Sequence, residues 1–196
     1  MKIALAQMRV IAGQPWKNFE KIKQFTDEAR QKGCQIIAFP EMCVGGYLLA
    51  DRWTEDAWCN HLVSFNDRIR ELSEDIIIIY GNLLVDRSRK NKDGRMRKYN
   101  AGFAFYNRKP LPRAGALPEG VTIKSLLPSY RIFDDERYFY SLTEYACDTN
   151  TQVEDLLQPF QTTIGNEVIR FGVEICEDLW FNDYRYNGRP LNISKH

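Results

Sequence analysis

Cys176 is the residue with the clearest capacity for chemistry, and it closes the apolar stretch 168–175. Branched and aromatic side chains at short spacing predict that this stretch is a buried strand, and two acids, Glu177 and Asp178, follow the cysteine directly. A strand end holds a thiol on a rigid element, while the next backbone N–H groups can donate to an oxyanion. Read alone, the pattern also fits an ordinary core cysteine, because free cysteine is among the most buried residue types.

Two further polar residues follow predicted strands. Glu41 comes after the short β-rich run 35–39 and opens a glycine-containing loop, where α/β proteins often place functional side chains. Lys124 ends a short β segment among isoleucine and leucine neighbours, which makes it a candidate for partial burial. The alternatives are a surface acid and a solvated lysine, since most charged side chains lie at the surface.

The elements that would position these residues alternate between strands and helices. A strand over 2–8, an amphipathic helix over 15–33 and a strand over 35–39 predict a βαβ-like unit in a layered α/β domain. The apolar run 76–85 predicts a strand that is covered on both faces. We therefore expect one α/β domain over the 196 residues.

Composition narrows the function classes. The formal net charge of +1 gives no electrostatic case for nucleic acid or a membrane surface as a partner, and no apolar run has the length of a membrane span. Five scattered cysteines without a C-x-x-C pair indicate reduced thiols in a cytoplasmic protein. Two histidines are too few for a histidine-rich metal site, so we expect no metal and a base other than histidine.

Three ordered motifs carry a resemblance to a known family: Phe-Pro-Glu at 39–41, Ile-Lys-Ser-Leu-Leu-Pro at 123–128 and Gly-Val-Glu-Ile-Cys-Glu-Asp-Leu-Trp at 172–180. Together they resemble the nitrilase, or carbon–nitrogen hydrolase, superfamily. Within it the chain is most similar to the glutaminase domains of glutamine-dependent NAD synthetases, through Gly46-Tyr47 and Leu-Pro-Ser-Tyr-Arg-Ile-Phe-Asp at 127–134. The resemblance implies an αββα sandwich.

The resemblance also implies roles for the three residues. Cys176 would attack the side-chain carboxamide of glutamine and form a thioester. Glu41 would take the thiol proton, pass it to the departing ammonia and then activate water. Lys124 would hold the anionic tetrahedral intermediate, together with the backbone N–H that follows the cysteine.

Further site residues follow from the same resemblance. The residues expected to position or enclose glutamine are Tyr47, Tyr130, Phe133 and Glu177. The family places a glutamate beside the lysine, in the text Phe-Asp-Glu, whereas this chain reads Phe133-Asp134-Asp135-Glu136. The supporting acid is therefore expected to be either Asp135 or Glu136.

The resemblance further implies that 1–196 is a glutaminase domain that is incomplete on its carboxyl-terminal side, because the family's sandwich continues after the cysteine. The glutaminase step would need no cofactor, and ATP and deamido-NAD would bind only to a synthetase domain that is absent here. The implied partners are glutamine, that domain and further copies in a homo-oligomer. Two alternatives stay open: a free-standing amidase or carbamoylase of the same superfamily, and a non-catalytic truncated fragment.

Overall fold

The computed structural model describes residues 1–91 and 93–179, together with the backbone of 185–186 and 189–190. Its centre is a six-stranded mixed sheet, in which the first three strands run parallel and the others antiparallel. In chain order the strands are β1 (Ile3–Leu5), β2 (Ile36–Ala38), β3 (Ile77–Lys90), β4 (Met96–Tyr106), β5 (Lys109–Pro110) and β6 (Val121–Ile123).

Six α-helices are described. They are α1 (Pro15–Gln31), α2 (Asp56–Val63), α3 (Phe65–Glu71), α4 (Asp135–Tyr138), α5 (Leu142–Thr149) and α6 (Val153–Leu156). The predicted first helix is confirmed: it begins with Pro15, whose missing N–H is not needed there, and Gly33 adopts a φ of +68° just past its end. None of the helices described combines the length and apolar character needed to cross a bilayer.

The predicted two-sided burial of β3 is confirmed by its alternating isoleucines. Ile78 faces the main core cluster and Ile77 faces a second, smaller cluster, and both are 0% exposed. Coverage of the second face is uneven, however. Ile3 and Leu5 of β1, which lies at the sheet edge, are 52% and 80% exposed.

A separate two-stranded hairpin, β7 (Phe160–Ile164) and β8 (Glu167–Phe171), follows the helices. The prediction of one continuous strand over 168–175 is wrong, because β8 ends at Phe171 and 172–175 belong to no strand. The reason lies at Gly102 of β4, where an added Cβ would lie 3.4 Å from Val173 and 3.7 Å from Ile175. This segment packs on the face of the large sheet through its side chains instead of pairing along an edge.

Candidate active site

Glu41 is placed by the turn that follows β2. The N–H of Phe39 still donates to Ile79 of β3 at 2.8 Å, and the chain then turns at Met42, whose φ is +48°. Gly81 of β3 permits this turn, because a Cβ there would lie 2.4 Å from the Met42 nitrogen and 2.7 Å from the Glu41 Cα. The glycine therefore lets the backbone that carries Glu41 lie directly on the sheet.

Lys124 comes directly after β6. Its N–H donates to the Asn100 carbonyl of β4 at 2.9 Å, and its own carbonyl accepts from Leu142 of α5 at 3.0 Å. The sequence predicted partial burial, and the structure shows the residue to be 0% exposed. An ammonium group in such a place needs acceptors inside the protein, since burying an unpaired charge is very costly.

Two carboxylates supply those acceptors. Lys124 Nζ donates to Glu41 Oε1 at 2.7 Å and to Asp135 Oδ2 at 2.9 Å. Tyr47 Oη donates to the other oxygen of Asp135, and Asn100 Nδ2 donates to Glu41 Oε1 at 2.6 Å. Each carboxylate is thus held by the same ammonium group and by one neutral donor, which fixes the orientation of all five side chains.

The acid beside the lysine is Asp135 and not Glu136. Asp135 opens α4, is 2% exposed and contacts Lys124, whereas the neighbouring Glu136 is exposed. The shorter side chain reaches the ammonium group because its backbone is held close: its N–H donates to the Pro128 carbonyl at 3.0 Å. The expected place of the supporting acid is therefore occupied by Asp135.

Electrostatic interactions keep the ammonium group of Lys124 charged and fixed in position. Burial alone lowers the pKa of Lys124, but Glu41 and Asp135 more than compensate, so the net pKa lies above the usual lysine value. Burial raises the pKa of Asp135, and Lys124 opposes that rise. Burial and then the Asp135 carboxylate raise the pKa of Tyr47, so the phenol keeps its proton and acts as a donor.

Cys176 begins a 3₁₀ turn, Cys176–Leu179, with a φ of +49°. The residue is exposed and lines one cavity together with Glu41. Partial burial raises the pKa of the thiol, the Glu41 charge adds to the rise, and Lys124 opposes it. The resting sulfur is therefore a thiol beside a carboxylate, an arrangement that suits proton transfer to a base at the moment of attack.

Two of the buried cysteines have a different environment. Cys43 and Cys59 are both 0% exposed, and burial raises their pKa values to about 12 and about 11. Their sulfurs lie near backbone carbonyls, 3.5 Å from that of Gly81 and 3.4 Å from that of Trp53. They are structural thiols, whereas Cys176 lies at a surface beside an acid and a cation.

A cavity of about 100 Å³ opens at Cys176 and Glu41. Two glycines that pair across β3 and β4, Gly81 and Gly102, line it, and Val173 lines it as well. The absence of side chains at the paired glycines is what lets the two chain segments approach the sheet and leaves room next to the thiol.

The four residues predicted to enclose substrate form a neighbouring cluster. The rings of Tyr47 and Phe133 are 5.8 Å apart, and those of Phe133 and Tyr130 are 5.5 Å apart, both in edge-to-face contact. Tyr130 Oη donates to Glu177 Oε2 at 2.8 Å. The cluster meets the acid–lysine network through Tyr47, whose ring lies 5.4 Å from Lys124 Nζ.

Two residues that the structure connects to this site are not distinguished by local sequence pattern alone. Asn100 lies inside β4 and contacts Glu41, and nothing in its local pattern distinguishes it from any strand residue. Asp178 accepts hydrogen bonds from the backbone of Ser125 and Leu126. Its position two residues after Cys176 is the sequence signal that could have identified it.

Within 1–91 and 93–179, no three or more histidine, cysteine or acidic side chains are grouped so that they could hold a metal ion. The charged group that faces the thiol and Glu41 is the Lys124 ammonium, which contacts Glu41 directly.

Comparison with known proteins relates the whole chain to one family. The family model for carbon-nitrogen hydrolase matches residues 2–189. The glutamine-dependent NAD(+) synthetases of Xanthomonas campestris and Synechocystis are each 26% identical to this chain, over 182 and 191 residues. These matches cover 92% and 96% of this chain but 28% and 29% of those proteins, so the chain spans less than a third of the length of these curated relatives.

Solved structures agree. A glutamine-dependent NAD+ synthetase from Acinetobacter baumannii superposes with a TM-score of 0.62 at 25% identity, covering 91% of this chain and 28% of that one. An amidase from Nesterenkonia sp. has a TM-score of 0.64 at 16% identity, covering 93% of this chain and 58% of that one, which is a likeness of fold. The predicted nitrilase-like α/β fold is confirmed, and this chain belongs to the carbon–nitrogen hydrolase family.

Proposed function

We propose that this chain is the glutamine-hydrolysing domain of a glutamine-dependent NAD synthetase. The observation that carries the proposal is the contact set of Lys124, which is hydrogen bonded to Glu41 and Asp135, while Glu41 and Cys176 line the same cavity. Amide hydrolysis needs a nucleophile, a proton carrier and a group that stabilises an oxyanion, and these residues supply all three. The names of the relatives at 26% identity support glutamine as the amide.

The first half of the reaction forms a thioester. Cys176 Sγ attacks the side-chain carbonyl carbon of glutamine while Glu41 takes the thiol proton, and the carbonyl oxygen becomes an anion. Lys124 and the backbone N–H after the cysteine stabilise that oxygen. The C–N bond then breaks, Glu41 returns the proton to the nitrogen, and ammonia leaves.

The second half regenerates the enzyme. Glu41 takes a proton from water, and the resulting hydroxide attacks the thioester carbon. The C–S bond breaks, glutamate leaves, and the sulfur recovers its proton from Glu41. Because the raised pKa keeps Cys176 protonated at rest, the thiol depends on Glu41 in both halves.

Recognition of glutamine is assigned to the aromatic cluster. The carboxylate of Glu177, which is 6% exposed, has the charge to bind the α-ammonium group of the substrate. Tyr47, Tyr130 and Phe133 enclose the aliphatic part with their rings. The glutaminase step itself needs no cofactor in this scheme.

The remaining assignments concern the larger assembly. We assign amidation of deamido-NAD, with ATP, to a synthetase domain outside these 196 residues, because the relatives are more than three times longer than the matched part. Glutamine and that domain are the proposed partners, with no nucleic acid and no membrane. A cytoplasmic homo-oligomer is proposed on the basis of the free cysteines and of the family.

Covalent capture tests the nucleophile and the substrate together. The chain is incubated with a chloroketone analogue of glutamine, and the adduct is located by intact mass and peptide mapping. We expect one adduct, on Cys176, that excess glutamine suppresses, while the exposed Cys147 serves as an internal control. Equal labelling of both cysteines, without protection by glutamine, would contradict the proposal.

The same experiment separates the amidase alternative. A mutant of the Nesterenkonia sp. amidase, which shares the fold, shows covalent addition of the acetamide moiety of fluoroacetamide at its active-site cysteine. If acetamide protects Cys176 from the chloroketone as well as glutamine does, the chain is a general amidase. Protection by glutamine at concentrations where acetamide has no effect supports the glutaminase.

A further inference from the structure

Asp178 is a buried carboxylate with backbone partners on two separate segments. It is 5% exposed. Its Oδ1 accepts from the N–H groups of Ser125 at 3.0 Å and Leu126 at 2.9 Å, and its Oδ2 accepts from Ser125 at 3.2 Å and Ile175 at 3.3 Å. A carboxylate that binds several N–H groups in the interior is a strong and directional contact.

The partners of Asp178 are next to two residues of the proposed reaction. Ser125 directly follows Lys124, and Ile175 directly precedes Cys176. The Asp178 N–H also donates to the Ile175 carbonyl at 3.1 Å, which closes the turn on itself. One side chain therefore connects the segment that carries the lysine to the turn that carries the thiol.

The turn needs such a connection because the sheet does not hold it. Residues 172–175 belong to no strand, so ladder hydrogen bonds do not fix their position. Cys176 itself has a φ of +49°, a conformation that costs a non-glycine residue free energy and persists when its surroundings impose it. The contacts of Asp178 act on both sides of this strained residue.

The energetics favour a role beyond stability. Burial raises the pKa of Asp178 to about 7, although the N–H groups of Leu126, Ser125 and Ile175 and the charge of Lys124 oppose the rise. A buried carboxylate that is this costly to ionise is weak support for the fold as such. What it adds is geometry, since displacement of a reacting group by about 1 Å can cost about a hundredfold in rate.

We propose that Asp178 is a positioning residue that holds the Cys176 thiol within reach of Glu41 and Lys124. The inference rests on the proposed function for the identity of the nucleophile. Asp178 does not line the cavity at the thiol, so it acts through the backbone and not on substrate. Its loss should therefore change the rate of the covalent step and leave substrate affinity almost unchanged.

The test compares wild type with Asp178→Asn, which keeps the size of the side chain but turns one acceptor into a donor. Asp86→Asn is the matched control, because Asp86 also accepts a backbone N–H, from Ser88 at 2.8 Å, on a different part of the chain. Inactivation by the chloroketone analogue gives the maximal rate and the half-saturating concentration separately. For Asp178→Asn we expect the maximal rate to fall about tenfold to a hundredfold, with little change in half-saturation.

The pH dependence of alkylation by iodoacetamide gives a second measurement, the titration midpoint of Cys176. A merely structural role of Asp178 would not change this midpoint. Glu41, Lys124 and Glu177 are the charged groups that act on the Cys176 thiol, with Glu41 raising its pKa most after burial. If Asp178→Asn releases the turn, the titration midpoint of Cys176 falls towards that of an ordinary thiol. Cys147, measured in the same digest, should not change, and neither should Cys176 in Asp86→Asn.

The outcomes separate the two proposals. If folded Asp178→Asn, checked by circular dichroism, shows a wild-type maximal rate and midpoint, Asp178 does not position the thiol. If wild-type Cys176 is not protected by glutamine, the proposed function fails, while the iodoacetamide midpoints still decide the role of Asp178. Should Asp178→Asn not fold, Asp178→Glu keeps the charge, and the same loss of maximal rate is expected from its displaced carboxylate.

Discussion

The acid–lysine network and the cysteine turn lie side by side but are built differently. Lys124 and Asp135 are 0% and 2% exposed and have several mutual contacts, whereas Cys176 is exposed and begins a short 3₁₀ turn. The residues of the network lie in or just after β2, β4, β6 and α4, and the fold fixes the positions of these elements. The turn follows four residues that belong to no strand.

This difference indicates a division of labour. Groups that stabilise charge act best when they are already oriented before the reaction, and the network has that property. Cys176, as the proposed nucleophile, must instead be accessible to substrate, and it lies at the surface on a turn whose backbone is strained. Substitutions in the network and in the cysteine turn should therefore have different effects on rate and on stability.

The largest expected effect is that of Cys176→Ala. Removal of the sulfur that forms the thioester in the proposed mechanism should abolish glutaminase activity, while the fold persists because the side chain is exposed. Ammonia release from glutamine is the measurement, made on the full-length protein and on this chain. Cys147→Ala is the control, and turnover in Cys176→Ala comparable to wild type would refute the nucleophile assignment.

Lys124→Ala tests the network from its centre. Loss of one oxyanion donor typically costs about a hundredfold or more in rate. It should also cost about 3–5 kcal/mol of unfolding free energy, because Glu41 and Asp135 are left facing each other without the cation. Steady-state glutamine hydrolysis and urea denaturation measure the two effects.

Lys98→Ala is the matched control for that loss, because Lys98 is 3% exposed and paired with Asp56 at 2.9 Å, outside the network. It should lower stability and leave the rate per folded molecule unchanged. A loss of less than about tenfold in folded Lys124→Ala would count against the oxyanion role, since that role alone predicts much more.

The sequence was sufficient for the parts of the site that depend on motif and strand order. The motifs around Glu41 and Lys124 selected both residues through the family resemblance, and the structure brings their side chains into contact. The identity of the supporting acid was not predictable, because Asp135 and Glu136 are adjacent and the choice depends on how the Pro128 carbonyl holds the first turn of α4. This is a tertiary contact, and the local sequence pattern cannot predict it.

For the segment that leads to the thiol, the sequence predicted the wrong secondary structure. The alternation of apolar residues over 168–175 predicts a strand, yet Val173 and Ile175 use their side chains to pack over Gly102. Periodicity reports which side chains are buried and not whether the backbone pairs with a neighbour. For the same reason Asn100 could not be selected, since its function depends on a partner 59 positions away in the chain.

A smaller effect is expected from Asn100→Leu, which tests the network at its edge. The substitution keeps the approximate shape but removes the donor that holds Glu41 Oε1 at 2.6 Å. A hydrogen bond to a charged group is worth about 1.5–3 kcal/mol, which corresponds to about tenfold or more in rate. Asn100→Asp should be worse, because it sets a second carboxylate against Glu41. Equal rates for wild type and Asn100→Asp would show that Asn100 does not orient the base.

The smallest expected effect concerns the backbone of the cysteine turn. It is measured as the sign of the stability difference between a glycine and an alanine variant at the same position. At a φ of +49° an alanine is strained by about 1–2 kcal/mol and a glycine is not, so Cys176→Gly should be more stable than Cys176→Ala. Cys147 lies inside α5, where glycine is less stable than alanine by about 1 kcal/mol. Urea denaturation of the four variants measures both differences.

Opposite signs at the two exposed cysteines would mean that the chain holds its nucleophile against the preference of its own backbone, by contacts made elsewhere. If glycine proves less stable than alanine at both positions, the turn is relaxed, and the contrast between a rigid network and a strained nucleophile fails. Because neither pair of variants contains a thiol at the tested position, the comparison isolates conformation from chemistry. A strained turn would also explain why a buried carboxylate, Asp178, is retained beside it despite its cost.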